Sequence, residues 1–366
     1  MKNGNLFFIA ALFVVCNAVF AQGFTVSGLL DSNVSLQAGA GSKPEFSYGV
    51  EEYANLRVQA KIRDMAVFYG AVNFIAAAGD FAVATAAGSS MFDISGENYT
   101  AGIELERLYF RLNGEYLNFD GGLFRLPFGY SEVWGPSDFL NPKNPLMPDA
   151  RPRAVLGASL AWYPEDNLKL LSFGAAPREP FSRQGGGGLA GVSMDRHWDR
   201  ASLQMLYSFE SPSARSEQGI HRAGMSVKAD IETALVMELL YTYKGGTRAA
   251  LDGLSFCLGA DYSFFDGNLI VLAEYLYNGA ASSTAAQSGG SFRRENYLYA
   301  GFTWRFSDYT NVNAALITGF DDISFTPALT LNYDLFQGAA LSLTAQIPLD
   351  RDLFSGSGES GELGPL

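Results

Sequence analysis

The feature that most constrains the fold is an alternation of apolar and polar residues, which recurs along the chain in segments of about ten residues. In the clearest instance, residues 53–63, the apolar and polar side chains separate by position: Leu56, Val58, Ala60 and Ile62 against Asn55, Arg57, Gln59, Lys61 and Arg63. Successive side chains of a β-strand point to opposite faces, so one face suits lipid and the other water. A soluble β-sandwich shares this alternation.

Seventeen segments follow the pattern: 24–37, 53–63, 66–76, 104–112, 116–125, 153–163, 168–176, 187–194, 201–209, 219–229, 235–243, 254–265, 269–277, 295–306, 310–318, 323–334 and 338–348. So many strands favour a barrel over a sandwich. In a bilayer, closure into a barrel also pairs every strand edge. The sequence therefore predicts an all-β fold, a transmembrane antiparallel up-and-down β-barrel of about 16 to 18 strands.

The connections between the segments alternate in length. Short turns are expected at 63–65, 113–115, 164–167, 230–233, 266–268 and 307–308, and long links rich in Gly, Ser, Pro and Asp include 79–103, 126–152, 280–294 and the region around 185–188. In outer-membrane barrels short turns face the periplasm and longer loops face outward. Segment 187–194 is included because this alternation breaks without it.

The N-terminus has the three-part layout of a secretory signal peptide, with Lys2, an apolar stretch over 6–15, and Val19-Phe20-Ala21 at the end. We predict that residues 1–21 are removed and that 22–348 form the barrel. The stretch is short for an uncleaved membrane anchor. Val15 before Cys16 is a poor match to a lipoprotein signal.

The number of strands up to the C-terminus is odd, whereas single-chain bacterial barrels have an even number of strands. The sequence pattern gives seventeen, and residues 349–366 read as a flexible Gly/Ser/acidic tail or an outer loop. We therefore predict that a final descending strand is missing. The alternative is that segment 187–194 is not a strand, which gives sixteen strands and a loose periplasmic tail.

Composition argues against several functional classes. The formal charge of −13 does not suit nucleic acid, which recruits clusters of Lys and Arg. Cys257 is the only cysteine after the signal, and neither His197 nor His221 has a second ligand at a recognised metal spacing. The prediction is no catalytic residue, no metal, no cofactor and no enzymatic activity.

The polar faces carry a set of charges that we predict to line a pore: Arg57, Lys61, Arg63, Arg107, Arg111, Arg125, Glu132 and Asp138. The arginines and lysine come from the second, fourth and fifth segments, and Glu132 and Asp138 lie in the long third loop. Facing charges of opposite sign would create a transverse field that orients polar solutes. The alternative is that any wet lumen collects charges of both signs.

The stretch Gly122-Leu123-Phe124-Arg125-Leu126-Pro127-Phe128-Gly129, followed by Trp134-Gly135 and Leu140-Asn141-Pro142, carries a resemblance. It resembles porin-like bacterial outer-membrane β-barrels related to alginate-export and phosphate-selective porins. The resemblance covers about a third of the chain by motif. It implies that Arg125 lies at the mouth of the third loop and that this loop constricts the pore.

The resulting expectation is an outer-membrane channel for passive diffusion of small polar solutes or ions. Its expected partners are outer-membrane lipid and small polar solutes, with no nucleic acid, and a homo-oligomer is left open. The rival interpretation is a surface-exposed structural or adhesive barrel, in which the loops bind partners and the lumen is closed.

Overall fold

The computed structural model describes residues 23–38, 46–79, 92–142, 154–176, 187–212, 218–245, 250–279, 295–321, 324–336 and 338–347. In these ranges the chain forms eighteen strands: β1 (Gly23–Ala38), β2 (Phe46–Ile62), β3 (Ala66–Gly79), β4 (Phe92–Ser95), β5 (Tyr99–Asn113), β6 (Leu117–Phe124), β7 (Val155–Glu165), β8 (Leu168–Ala176), β9 (Leu189–Trp198), β10 (Ala201–Glu210), β11 (Ile220–Asp230), β12 (Ala234–Lys244), β13 (Leu254–Phe264), β14 (Leu269–Asn278), β15 (Asn296–Ser307), β16 (Thr310–Gly319), β17 (Ser324–Phe336) and β18 (Ala339–Gln346). A short 3₁₀ helix, Ala250–Gly253, precedes β13. Within these ranges the search for a helix of membrane-spanning length and hydrophobicity found none.

The strands form one antiparallel meander. Each strand pairs with the next along the chain, except that β3 pairs directly with β5. The short β4 pairs with Thr100 to Ile103 of β5, beyond the stretch from Leu108 to Asn113 that pairs with β6. Because β4 only extends that edge, seventeen strands make up the wall.

All seventeen predicted segments are confirmed as strands, including 187–194, which corresponds to β9. The sequence prediction missed β4, since four residues are too few to show an alternation. The expected up-and-down β-barrel fold is also confirmed. Residues 1–21, predicted to be the signal peptide, lie outside the described ranges.

The connections fall into two groups at opposite ends of the sheet. Eight connections of two to four residues join β2–β3, β5–β6, β7–β8, β9–β10, β11–β12, β13–β14, β15–β16 and β17–β18. Antiparallel pairing throughout puts these at one end, the turn end, and the other links, most of them longer, at the opposite end, the loop end. The turn after β13 uses left-handed backbone, with φ of 54° at Asp266 and 90° at Gly267. The predicted short turns are confirmed.

The two end strands of the meander are β1 and β18, and the described residues contain no ladder that joins them. Gly23 of β1 pairs with Lys61 near the turn end, whereas Gln346 of β18 pairs with Ala328 toward the loop end. Residues 349–366 lie outside the described ranges. The expectation of a missing final strand therefore stays a prediction.

The two faces of the sheet differ as the alternation requires. One face, the outer face, presents exposed large apolar side chains such as Leu56, Trp162, Met205 and Leu331. Contiguous exposed apolar surface of this kind is unusual in a soluble monomer and suits lipid contact. The other, inner face carries hydrogen-bonded polar side chains, and the functional residues lie there.

Candidate functional site

The inner face of one half of the sheet is covered by the segment that follows β6, residues 125–142, called here the inner loop. Phe128 packs against Phe173 of β8 with ring centroids 5.1 Å apart, and Trp134 packs against Tyr297 of β15 at 5.3 Å. Two clusters of buried apolar residues form between the loop and this wall. The loop therefore runs along the inner face from β8 to β15.

A buried glutamate of β12 holds the first part of the inner loop. Glu238 is fully buried, and its Oε1 accepts hydrogen bonds from the backbone N–H of Tyr130 (2.5 Å) and Ser131 (2.6 Å). Its Oε2 accepts a third from the N–H of Ser137 at 3.2 Å. Hydrogen bonds to a charged group contribute about 1.5–3 kcal/mol each, so this carboxylate is a strong local anchor.

A second buried glutamate, on β14, repeats the arrangement. The carboxylate of Glu274 accepts hydrogen bonds from the N–H of Glu132 (2.6 Å), Val133 (3.0 Å) and Trp134 (3.1 Å). The indole N–H of Trp134 also donates to the backbone oxygen of Glu274 at 3.1 Å. Six loop amides are thus satisfied by two wall carboxylates, called here the amide clamp.

Further wall contacts fix the start and the return of the loop. Gly129 N–H donates to Oε1 of Gln204 on β10 at 2.7 Å, and the hydroxyls of Ser137 and Ser226 lie 3.1 Å apart. Gly129 has a φ of 84°, and a Cβ there would lie 2.3 Å from Oε1 of Glu238. Only glycine fits this close approach.

Tyr130 lies in the loop beside this network. Burial raises the pKa of its phenol to about 12, and the negative charges of Asp195 and Glu238 act in the same direction. The phenol therefore stays neutral at physiological pH and adds no charge to the clamp.

The arginines predicted from the sequence lie mainly on the other side of the lumen, on β2, β5 and just after β6. A β-bulge in β5 pairs Arg107 with Ala71 and Leu105 with Val72, so that Glu106 has no partner in β3. Bulges re-aim side chains. Here Arg107 lies 3.1 Å from Oε1 of Glu106, and Arg125 lies 3.0 Å from the same oxygen.

A second pair lies nearer the turn end. Arg111 Nε donates to Oδ1 of Asp120 at 2.6 Å, and its Nη2 donates to Oδ2 at 3.0 Å, a two-point contact. Tyr69 and Tyr109 stack with centroids 5.4 Å apart, and the guanidinium of Arg107 lies 4.8 Å from the Tyr69 ring centroid. Burial lowers the pKa of Arg125, and the charge of Glu106 opposes that shift.

The remaining predicted pore residues have different surroundings. Arg57 donates to Oδ1 of Asn55, and Lys61 is exposed on β2. Arg63 lies in the turn with a φ of 50°, because β2 ends at Ile62. Glu132 is an exposed side chain of the inner loop.

Asp138 is buried in the inner loop. It is only 3% exposed, and its Oδ1 accepts a hydrogen bond from the N–H of Asn141 within the loop. The acids in contact with Arg107, Arg111 and Arg125 are Glu106 and Asp120 on the wall. A role for the predicted set in lining a pore stays a prediction.

Sequence reasoning missed the four acids that organise this inner face: Glu106, Asp120, Glu238 and Glu274. A signal exists for two of them, because Glu238 and Glu274 each interrupt an otherwise uncharged run, in ALVMELLYTY and LIVLAEYLYN. A lone carboxylate inside such a strand needs buried partners. The sequence does not say which segment supplies them.

The two histidines lie at the sheet margins. The Nδ1 atom of His197 is 3.0 Å from the hydroxyl of Ser202, and that of His221 is 2.8 Å from the hydroxyl of Tyr207. In the described ranges there is no group of three or more side chains placed to hold a metal ion.

No family model matches the chain, and no curated protein matches its sequence. The solved structure of OccK8 (OprE) from Pseudomonas aeruginosa matches with a TM-score of 0.55 and 12% identity, over 90% of this chain and 96% of that one. OccAB1 from Acinetobacter baumannii matches with a TM-score of 0.56 and 13% identity, over 92% and 93%. At these identities the likeness concerns the fold, and the chain has the fold of a porin-like bacterial outer-membrane β-barrel.

Proposed function

We propose that the chain is an outer-membrane channel through which small polar solutes or ions diffuse passively. The observation that carries the proposal is the uneven cover of the inner face. The inner loop covers β8 to β15, whereas polar inner-face residues elsewhere, such as Lys61, Ser342 and Thr344, remain exposed to solvent. A sheet whose inner face is polar and exposed to solvent, and whose outer face is apolar, forms a hydrated path across a bilayer.

The inner loop has the role of a constriction in this proposal. It crosses from β6 to β15 inside the wall, and the amide clamp fixes its backbone at six points. A segment anchored in this way narrows the lumen without moving during passage. Passive diffusion needs a fixed aperture of this kind, and it requires no catalytic step.

Export belongs to the same proposal. A β-barrel of this kind reaches the outer membrane from the periplasm, which fits removal of residues 1–21 as a signal peptide. The outer face, with Leu56 and Trp162 exposed, would then contact lipid.

Conductance in planar bilayers tests the proposal against its closed-lumen rival. We expect the purified full-length protein to migrate faster on gels unheated than boiled, and then to produce stepwise current increases on insertion. A protein that shows the same heat-modifiable migration and inserts without conducting would be a closed structural or adhesive barrel, and the channel proposal would be wrong.

A further inference from the structure

The part of the arginine-bearing wall formed by β5 and β6 is balanced in charge by its own acids. Strands β5 and β6, together with the next residue, carry three acids and three arginines: Glu104, Glu106 and Asp120 with Arg107, Arg111 and Arg125. Their formal charges sum to zero. Glu106 contacts two of the arginines, and Asp120 holds the third at two points.

The acid and the arginine of each contact lie close together, and this short separation determines how far their electrostatic field reaches into the lumen. The N–O distances are 2.6 to 3.1 Å, so Arg111 and Asp120 form a short dipole, and Arg107 and Arg125 share the single negative charge of Glu106. The field of a dipole falls faster with distance than that of a charge, and salt screens it further. A passing ion therefore meets a much weaker field than the row of arginines alone would produce.

The wall from β15 to β18 is lined differently. Uncharged side chains form a hydrogen-bonded row across these four strands: Thr303 to Asn313 at 2.7 Å, Asn332 to Asn311 at 2.8 Å, Ser342 to Asn332 at 2.6 Å, and Thr330 with Thr344 at 3.0 Å. We call it the amide–hydroxyl row. Asn, Ser and Thr each donate and accept, which matches the hydroxyl groups of a polyol or sugar.

We propose that Glu106 and Asp120 determine the selectivity of the lumen. They make it discriminate only weakly between anions and cations, and they suit it to uncharged, hydroxyl-rich solutes. This rests on the proposed channel function. Together with Glu104 of β5, the two acids balance the formal charge of the three arginines. The amide–hydroxyl row and the Tyr69–Tyr109 stack supply hydrogen-bonding and ring surfaces that exchange with such a solute.

The pair Arg111–Asp120 offers the cleanest test, because the Arg111 side chain is 46% exposed and substitution there leaves the buried wall intact. Reversal potentials in a KCl gradient would be measured for wild type, Asp120→Asn, Arg111→Gln and the double variant. We expect D120N to raise the chloride-to-potassium permeability ratio about threefold and R111Q to lower it as much. This is the combined effect on both ions of one unit charge roughly 7 Å from the ion path, at a water-like dielectric and screened by about 0.1 M salt.

The double variant should return to the wild-type ratio, because it removes both charges together. Glu165→Gln is the matched control. Glu165 forms an exposed ion pair with Arg196 at the turn end and should leave the ratio unchanged. Heat-modifiable migration would confirm that every variant folds.

Solute preference is the second measurement. In proteoliposome swelling, glucose should enter wild-type vesicles at least as fast as glucuronate, which has similar size and one negative charge. Asn311→Ala/Asn332→Ala should slow glucose while leaving KCl conductance within twofold of wild type, since both side chains belong to the amide–hydroxyl row and neither carries charge.

The outcomes separate the two proposals. If folded, inserted wild type passes neither ions nor glucose, the channel proposal fails and this inference falls with it. If it conducts but strongly prefers chloride, admits glucuronate faster than glucose, or shows no shift in D120N and R111Q, then only the inference on selectivity is wrong.

Discussion

The two sides of the lumen satisfy buried acids in opposite ways. On β12 and β14, Glu238 and Glu274 receive backbone N–H groups of the inner loop. On β5 and β6, Glu106 and Asp120 receive arginine side chains, namely Arg111 of β5 and Arg125 at the start of the inner loop. Amide donors belong to the backbone of a chain segment, so a carboxylate that takes them fixes that segment in place. Arginine donors are long side chains, so a carboxylate that takes them offsets charge and leaves the loop backbone unbound.

This difference predicts different consequences for removing a carboxylate on either side. Loss of charge on the clamp side should free the loop and enlarge or destabilise the aperture. Loss of charge on the arginine side should leave the aperture unchanged and alter ion preference. If removing a carboxylate had the same effect on the clamp side and on the arginine side, the distinction between the two sides would be wrong.

The largest effect is expected from Glu238→Gln/Glu274→Gln. Glutamine keeps the volume but replaces one acceptor oxygen with an NH₂ group that opposes the loop amides. Each carboxylate accepts three charge-assisted hydrogen bonds, so the loss should be at least about 3 kcal/mol per site. The inner loop should leave the wall, with larger single-channel conductance and noise.

Trp134 reports the same event, because it is 2% exposed and packs on Tyr297. In a background where Trp162, Trp198 and Trp304 are replaced by phenylalanine, the fluorescence of Trp134 in the double variant should shift to the red and become accessible to iodide. Glu165→Gln serves again as the control, since its ion pair with Arg196 touches no loop residue. Unchanged conductance together with an unquenched Trp134 would contradict the clamp.

A smaller effect is expected from Gly129→Ala, which tests the close approach of the loop backbone to Glu238. The alanine Cβ would meet Oε1 of Glu238 at 2.3 Å on a backbone with φ of 84°. Such strain costs about 1–3 kcal/mol. Iodide quenching of tryptophan should rise by an amount between wild type and the double glutamine variant.

Gly188→Ala is the matched control for this substitution, because an added Cβ there meets no atom within 4 Å. Equal quenching in the two alanine variants would mean that the loop is not seated on Glu238 as described.

The wall could be predicted almost completely from the sequence, because strand alternation is a local property of each segment. Leu56 and Arg57 are assigned to opposite faces by adjacency alone. The inner loop is different. Its position depends on contacts between residues more than one hundred apart, such as Ser131 with Glu238, and no local period encodes them.

The ion pairs of the lumen are also not encoded by the local sequence pattern. The sequence located Arg107 and Arg111 on the polar side of their strand, but the choice of their acid partners depends on register and on the bulge at Glu106. Without that register, Asp138 of the third loop was an equally reasonable partner. The structure buries Asp138 within the loop, where it orders Asn141.

The smallest effect is expected from one substitution made in two parts of the lumen lining, Asn141→Ala in the inner loop and Asn332→Ala in the amide–hydroxyl row. Asn141 is 2% exposed; its Oδ1 accepts from the N–H of Leu126 at 2.9 Å, which ties the two ends of the loop together. Leaving that part-buried N–H without its acceptor should cost about 1 kcal/mol. Asn332 lies in a more open row, where its partners Asn311 and Ser342 can turn to water. The Asn332→Ala variant should therefore lose no more than about 0.5 kcal/mol of unfolding free energy.

Urea unfolding of the two variants in the same detergent would measure the difference in unfolding free energy. If N332A destabilises as much as N141A, the wall from β15 to β18 is packed rather than hydrated, and the contrast between a covered and an open side of the lumen does not hold.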